Sequence, residues 1–471
     1  MLFNSFSFVF LVLITFTLYY LPFFRKMQIL ILITASFIFY SANQPVLLLL
    51  LISSIIINII TSYLVIYGKT KLRKVFATAG VVANLSVLTF FKYSPLFGRT
   101  LFNGTGSIGE FLLMVPLPIG ISFYTFQGIS LLVDTFASDK VDKYKFLVHK
   151  SFFRHSLNTA LFISFFPQLV AGPIVKAHDF IPQIKEKALK DVDWESCFRA
   201  LVLGYFLKMV IADNLKEQTF WILFPYFQNL STVALLVMLF GYSMQIFADF
   251  AGYSLIAIGV ARLMGYNINE NFNFPYISKT FSEFWTRWHI SLSSFLKEYL
   301  YFPLGGNRIN KTRTYLNLMI VMFLGGLWHG AAWSYAVWGS FHGFALVSER
   351  FLRGRINLPD TMPINFLKMT VVFIFVTFAW LLFKLPEFSH VMNYMEAIVR
   401  NANMPLSSDL FLIKYNLLYS LPVCIYHLYY LYTKNGTPKT LKNLQPVIFG
   451  LMLFLIISNS GSPASFVYFQ F

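Results

Sequence analysis

Apolar residues fill long stretches of this chain, at about 6–24, 27–40, 46–67, 75–91, 111–136, 157–170, 198–212, 233–246, 255–266, 316–338, 367–383, 410–432 and 447–457. Short polar or basic segments separate them. Each stretch is near or below the roughly 20 residues a helix needs to cross a bilayer, so the pattern predicts about ten to twelve transmembrane helices, some of them tilted or re-entrant. The first stretch lacks a basic leader and a small-residue cleavage site, and is expected to stay as a helix. Arg25 and Lys26 follow it, and Lys69, Lys71, Arg73 and Lys74 follow the third, while the turn between the second and third is uncharged. By the positive-inside rule these basic clusters face the cytoplasm and the N-terminus lies outside.

The pattern changes between 116 and 342. In Pro116-Leu-Pro-Ile-Gly-Ile-Ser-Phe-Tyr-Thr-Phe-Gln-Gly128 two prolines and a glycine interrupt an apolar run, and broken backbone at membrane depth survives only in a protein interior or beside a wet cavity. Phe165-Phe-Pro-Gln-Leu-Val-Ala-Gly-Pro173 repeats the device with Gln168 as its amide; a helix stop explains it as well as a site does. Over 281–299, Phe281, Phe284, Trp285, Trp288, Leu292, Phe295, Leu296 and Tyr299 share one helical face, opposite Glu283, Arg287, Lys297 and Glu298. One interfacial helix is the expectation, with His289 at the flank of its apolar face. Asp249 and Arg262 lie in or beside apolar helices and are expected to pair with each other or with other interior polar groups.

Composition narrows the class. With 57% hydrophobic and 12% charged residues, the chain has too little polar surface for a soluble globule, and an all-α polytopic membrane protein is the expected fold. It reads as one membrane domain, 1–471, divisible into N-terminal spans (1–110), a central core (111–349) and C-terminal spans (350–471). The net charge of +17 is spread through short loops. Topology and anionic lipid headgroups explain it better than nucleic acid, and a cationic cytoplasmic mouth would also attract an anionic donor such as a coenzyme A thioester. The two cysteines, Cys197 and Cys424, form neither a disulfide framework nor a metal motif. No nucleotide-binding loop appears.

One residue carries the chemistry. His329 sits in Leu324-Gly-Gly-Leu-Trp-His-Gly-Ala-Ala-Trp333, inside a stretch from 316 to 338 without a carboxylate, lysine or arginine. An ionisable side chain at that depth is a functional candidate by default. Gly325, Gly326 and Gly330 either clear space for the imidazole or allow close helix packing. Asn307, Arg308, Lys311 and Arg313 form a basic loop before it, which serves topology or grips a phosphate or carboxylate. His342, thirteen residues on, would face roughly the opposite way on one unbroken helix, so the two make no metal pair and no metal site is expected.

Three blocks resemble the membrane-bound O-acyltransferase superfamily, and within it the membrane subunits of alginate O-acetylation systems. They are Phe166-Pro-Gln-Leu-Val-Ala-Gly-Pro-Ile174; Phe284-Trp-Thr-Arg-Trp-His-Ile-Ser-Leu292 with Tyr299-Leu-Tyr-Phe-Pro-Leu-Gly-Gly-Asn-Arg308; and Gly325-Gly-Leu-Trp-His-Gly-Ala-Ala-Trp333 with Trp338-Gly-Ser-Phe-His-Gly343. The likeness runs from the first residues to about Glu349. It implies re-entrant and interfacial helices around a central tunnel, with His329 as the active-site histidine and His289 as a second catalytic candidate. Trp328, Asn307, Arg308, Arg313 and Gln168 are the substrate-binding candidates. The loop departs from the family pattern by lacking a glycine after Arg308.

The resemblance further implies transfer of an acetyl group from a cytoplasmic thioester, acetyl coenzyme A as substrate and no resident cofactor, to an extracytoplasmic polysaccharide such as alginate. A periplasmic or surface acetyltransferase partner would complete the transfer, at a bacterial cytoplasmic membrane. Neutral imidazole, with an ordinary pKa near 6.5, suits the removal of a hydroxyl proton. The alternatives are D-alanyl or other acyl transfer to a cell-envelope polymer, and a transporter that moves donor or polysaccharide without chemistry.

Overall fold

The computed structural model describes residues 1–462 other than 43, 171, 356–358, 405, 406, 408, 435 and 437. Ala171, within the 166–174 block, is thus outside the described residues. The protein is an all-α polytopic membrane protein. Among the described residues the only β pairing is an isolated antiparallel bridge between Phe272 and Trp288. Among the described residues six helical segments are long and apolar enough to cross a membrane: Pro22–Ser41, Leu47–Tyr67, Thr70–Phe102, Thr232–Leu263, Met362–Lys384 and Lys439–Ser458. The chain separates into two compact units, Met1–Leu201 with Ser254–Glu270, and Val202–Tyr253 with Asn271–Phe471.

The first unit holds α1 (Phe6–Tyr20), α2 (Gln28–Ser41), α3 (Leu47–Tyr67), α4 (Arg73–Phe102), α5 (Gly106–Met114), α6 (Ile121–Phe136), α7 (Phe152–Ser164) and the short turns α8 (Phe166–Leu169) and α9 (Ala177–Phe180). The 111–136 run divides where Pro116, Pro118 and Gly120 interrupt it, with Gly120 in the left-handed region. Buried amides zip this unit together. Asn58 and Asn84 exchange side-chain hydrogen bonds of 3.1 and 3.0 Å between α3 and α4. A Cβ on Gly128 of α6 would strike Asn58, so the third helix must be glycine there. Histidines join other helices of the unit: buried His155 meets Ser62 at 2.9 Å, and half-buried His178 meets Asp134 at 2.7 Å.

α10 (Trp194–Tyr205) and α12 (Thr232–Leu263) each contribute to both units. The second unit continues through a π-helical stretch, Phe206–Ala212, and α11 (Asp213–Thr219). It then holds α13 (Phe281–Arg287), α14 (Ile290–Leu296), a π-helical turn Lys297–Tyr301, α15 (Lys311–His329), α16 (Trp333–Leu352), α17 (Met362–Lys384), α18 (Phe388–Arg400), α19 (Leu410–Thr433) and α20 (Lys439–Ser458). Asp249 and Arg262 do not pair with each other. Asp249 shares the Lys208 ammonium with Asp213, at 2.8 and 2.6 Å, and Arg262 donates to Ser196 Oγ at 2.5 Å.

Two expectations for this unit need correction. The 281–299 face is not one helix: α13 ends at Arg287, Trp288 is extended, and His289 takes φ +43°, ψ +55° before α14 begins. The 316–338 run is not one span either. α15 stops at His329, Gly330 and Ala332 are extended, and α16 turns back. Hydropathy could not reveal this stop, because glycine and alanine keep the run apolar. Gly326 and Gly339 let the two helices touch: a Cβ on Gly326 would meet Tyr335 O and Gly339 Cα, and one on Gly339 would meet Met322 O.

Candidate active site

α15 begins where Asn310 Oδ1 accepts from Arg313 N at 2.7 Å, and its nineteen residues end on His329 itself. The imidazole, 3% exposed, lies in an aromatic box. Ring centroids stand at 5.1 Å for Trp338, 5.2 Å for Trp328, 5.4 Å for Phe383 and 6.1 Å for His289. His289 is fully buried and packs edge-on against Phe250 at 4.6 Å.

The left-handed conformation of His289 costs a non-glycine residue energy and persists only where neighbours impose it. Here the 271–273 segment imposes it. Asn271 O accepts from Ile290 N at 3.0 Å, Asn271 Oδ1 accepts from Ser291 Oγ at 2.6 Å, and Asn273 N donates to Arg287 O at 2.9 Å. The chain therefore reverses at His289 and turns its ring toward His329.

A cavity of about 650 Å³ opens beside the box. Leu318, Val321, Met322, Gly325 and His329 present one face of α15 to it, and Trp338, Leu346 and Arg350 one face of α16. Twelve residues separate Trp338 from Arg350 on α16, which at 1.5 Å per residue is about 18 Å. The cavity is thus elongated. His329 and Trp338 mark one end, while Arg350, Lys297 and Asn307 bring cationic and amide groups toward the other. Ser293, Ser294 and Thr286 add hydroxyls along the wall. Asn317, buried on α15, holds the Asn307 loop in place by donating to Gly306 O at 2.9 Å. Among the described residues no group of three His, Cys, Asp or Glu could hold a metal ion.

With that geometry in view, residues 70–389 match the model of the membrane-bound O-acyltransferase family. The chain belongs to that family. It is an O-acyltransferase and a multi-pass membrane protein, which sets aside the transporter alternative. A "Peptidoglycan O-acetyltransferase" of Helicobacter pylori is 35% identical over 397 residues, covering 80% of this chain and 74% of that protein. A "Probable alginate O-acetylase AlgI" of Pseudomonas aeruginosa is 36% identical over 408 residues, 84% of this chain and 75% of its own. A "Teichoic acid D-alanyltransferase" of Bacillus subtilis is 29% identical over 287 residues, 58% of this chain and 70% of its own.

Of the residues singled out from the sequence, the structure gathers His329, His289 and Trp328 into one box and puts Asn307 on the cavity wall. Arg308 is exposed on the neighbouring loop, and Arg313, half-buried, lies in the first turn of α15. Gln168 belongs to the first unit, where its amide donates to Phe162 O at 2.7 Å and so serves the local turn. The glycines divide their labour: Gly325 faces the cavity, whereas Gly326 serves the α15–α16 contact and Gly330 is packed under the Tyr335 ring. Trp285, Trp338, Lys297 and Arg350 were not anticipated. The charge of Lys297 and Arg350 beside apolar helices was the available signal, and their convergence on one cavity depends on the hairpin that hydropathy concealed.

Proposed function

We propose that the protein transfers an acetyl group from a cytoplasmic thioester, acetyl coenzyme A, to a hydroxyl presented from outside the membrane, for O-acetylation of a cell-envelope polysaccharide. The observation that carries this reading is the elongated cavity joining His329 to a cationic end. Arg308, Lys311 and Arg313 cluster before α15, and Arg350, Arg353 and Arg355 cluster at the far end of α16. By the positive-inside rule both clusters lie in the cytoplasm, so the cationic end of the cavity faces the compartment that holds an anionic thioester. By the same rule, Arg25 and Lys26 after α1 support an extracytoplasmic N-terminus.

In this reading the acceptor oxygen attacks the thioester carbonyl as His329 takes its proton. The tetrahedral intermediate collapses with cleavage of the C–S bond, and the imidazolium returns the proton to the departing thiolate, leaving an ester and a free thiol. The position of His329 at the C-terminus of α15 favours the imidazolium that forms, because the helix dipole is negative there. Trp328 supplies an indole N–H at the edge of the box for the developing oxyanion. His289 stands beside His329 and orients it or the thioester. The acceptor is a sugar hydroxyl or the serine of a periplasmic partner enzyme, and the same bond changes serve both.

The test uses full-length protein in sealed proteoliposomes with radiolabelled acetyl coenzyme A outside and O-deacetylated alginate or peptidoglycan inside, with and without a periplasmic extract. Label in the polymer that depends on His329 supports the reading. Label that moves equally well with His329→Ala, or that enters only from a D-alanyl carrier-protein thioester, overturns the acetyl assignment.

A further inference from the structure

His342 is fully buried on α16, and neither of its ring nitrogens has a hydrogen-bond partner among the described residues. Buried polar groups are almost always satisfied, so an imidazole left this way needs an explanation. Two neighbours share the condition. The indole nitrogens of Trp285 and Trp338 also lack partners among the described residues. The three rings form a triangle, with centroids 5.2 Å apart for Trp285–His342, 4.8 Å for Trp338–His342 and 5.8 Å for Trp285–Trp338.

Their place in the fold is specific. Trp285 and Trp338 line the cavity, and His342 lies directly behind them. On α16, His342 falls one turn from Trp338 and two turns from Arg350, so the triangle sits midway along the path between the cationic end and His329. Trp338 touches both imidazoles, at 5.1 Å from His329 and 4.8 Å from His342. At this level α15 and α16 also present the apolar Val321, Met322 and Leu346, and Thr286 beside Trp285 adds a hydroxyl.

We infer that Trp285, Trp338 and His342 form a recognition step for the amide groups of a pantetheine arm. Such an arm carries its first amide two methylenes from the sulfur. A thioester carbonyl held at His329 therefore places amide oxygens and N–H groups against the next part of the wall, where the unpartnered donors and the free imidazole acceptor lie. The arm enters by parting the edge contact between Trp285 and Trp338, and His342 then exchanges hydrogen bonds with it. A simple alkyl thioester has nothing to offer this step, so the triangle selects donors that carry pantetheine. The inference rests on the thioester reading above and adds the group that the donor must present below its sulfur.

The test measures binding of S-acetylpantetheine, ¹³C-labelled at the amide carbonyl nearest sulfur, to full-length protein in nanodiscs, alongside acetyl coenzyme A. Wild type should bind with a lowered amide stretching frequency. His342→Phe, which keeps a ring in the aromatic triangle, should weaken binding about tenfold and abolish the frequency shift, as loss of one buried hydrogen bond implies. His342→Gln should restore most of both, and it keeps the test alive if the Phe variant does not fold. A shift that survives in His342→Phe, or equal affinities for both proteins, overturns the role of His342 while leaving the acyltransferase reading intact. Failure of wild type to bind either thioester overturns the thioester reading itself.

Discussion

Two buried polar regions of the second unit follow opposite rules. Around Lys208 the charges are compensated within the protein: one ammonium serves two carboxylates, Asp213 at 2.6 Å and Asp249 at 2.8 Å, and all three side chains are at most 3% exposed, although Asp213 Oδ2 has no hydrogen-bond partner among the described residues. Around His342 four nitrogens on three rings have no hydrogen-bond partner among the described residues, and the surroundings are aromatic. The first region resembles His155 with Ser62 and His178 with Asp134 in the other unit, where polar groups hold helices together. The second lies against a cavity that ends at His329. The first region neutralises its buried charges within the protein, whereas the second sets neutral, unpartnered ring nitrogens against a cavity, and it is the cavity beside them that gives their lack of partners a functional reading.

The largest expected effect is at His329. General-base catalysis contributes about 10²–10⁴-fold, so His329→Ala should lower acyl transfer by at least that range while the thermal unfolding midpoint stays near wild type. Radiolabel transfer and tryptophan fluorescence on one preparation read both quantities. A variant that loses activity and stability together would place His329 with the groups that hold helices together and erase the contrast.

The opposite signature is expected at Lys208. Lys208→Met leaves two carboxylates in the interior without their cation, and breaking a buried pair in this way costs about 3–5 kcal/mol. The unfolding midpoint should fall markedly, and transfer per folded molecule should change little. The triad was only partly legible in the sequence. Asp249 announced itself as a charge in an apolar helix, but its partner lies forty-one positions away on a π-helical stretch, and periodicity identifies faces without saying what they meet.

The same limit explains what else was missed. His329 could be found because an ionisable group at membrane depth is costly, and the broken 116–128 segment because proline and glycine interrupt helices by known stereochemistry. The α15–α16 reversal had no such mark, since Gly330-Ala-Ala332 looks like more of the same apolar run. Without that hairpin, Lys297 reads as a solvated charge and His342 as a residue facing away from His329. Gly339 tests the hairpin. Gly339→Leu should destabilise by about 1–3 kcal/mol, because the new side chain meets Met322 O and the Gly326 backbone, neither of which can move freely. Donor binding should weaken as well, since the cavity's two helical walls depend on this contact. Unchanged stability and binding would show that the walls are set elsewhere.

The smallest effect should come from a polar pair that is satisfied but fully solvated. Asp360, just before α17, is held below the usual carboxylate value, first by the Asn365 amide, which donates to its Oδ1 at 2.6 Å, and then by the charge of Lys279. A folded pKa below the unfolded one stabilises at pH values above the unfolded pKa, near 3.9, and that contribution disappears as pH falls through the folded pKa. Asp360→Asn should therefore lower the unfolding midpoint only slightly, by the same small amount throughout about pH 6 to pH 8, with the difference disappearing in acid and shrinking as salt is added. Parallel melts across pH check this. A difference that grows between pH 6 and pH 8 would mean that Asp360 is linked to a buried titrating group, and satisfaction at an exposed site would then matter as much as it does around Lys208.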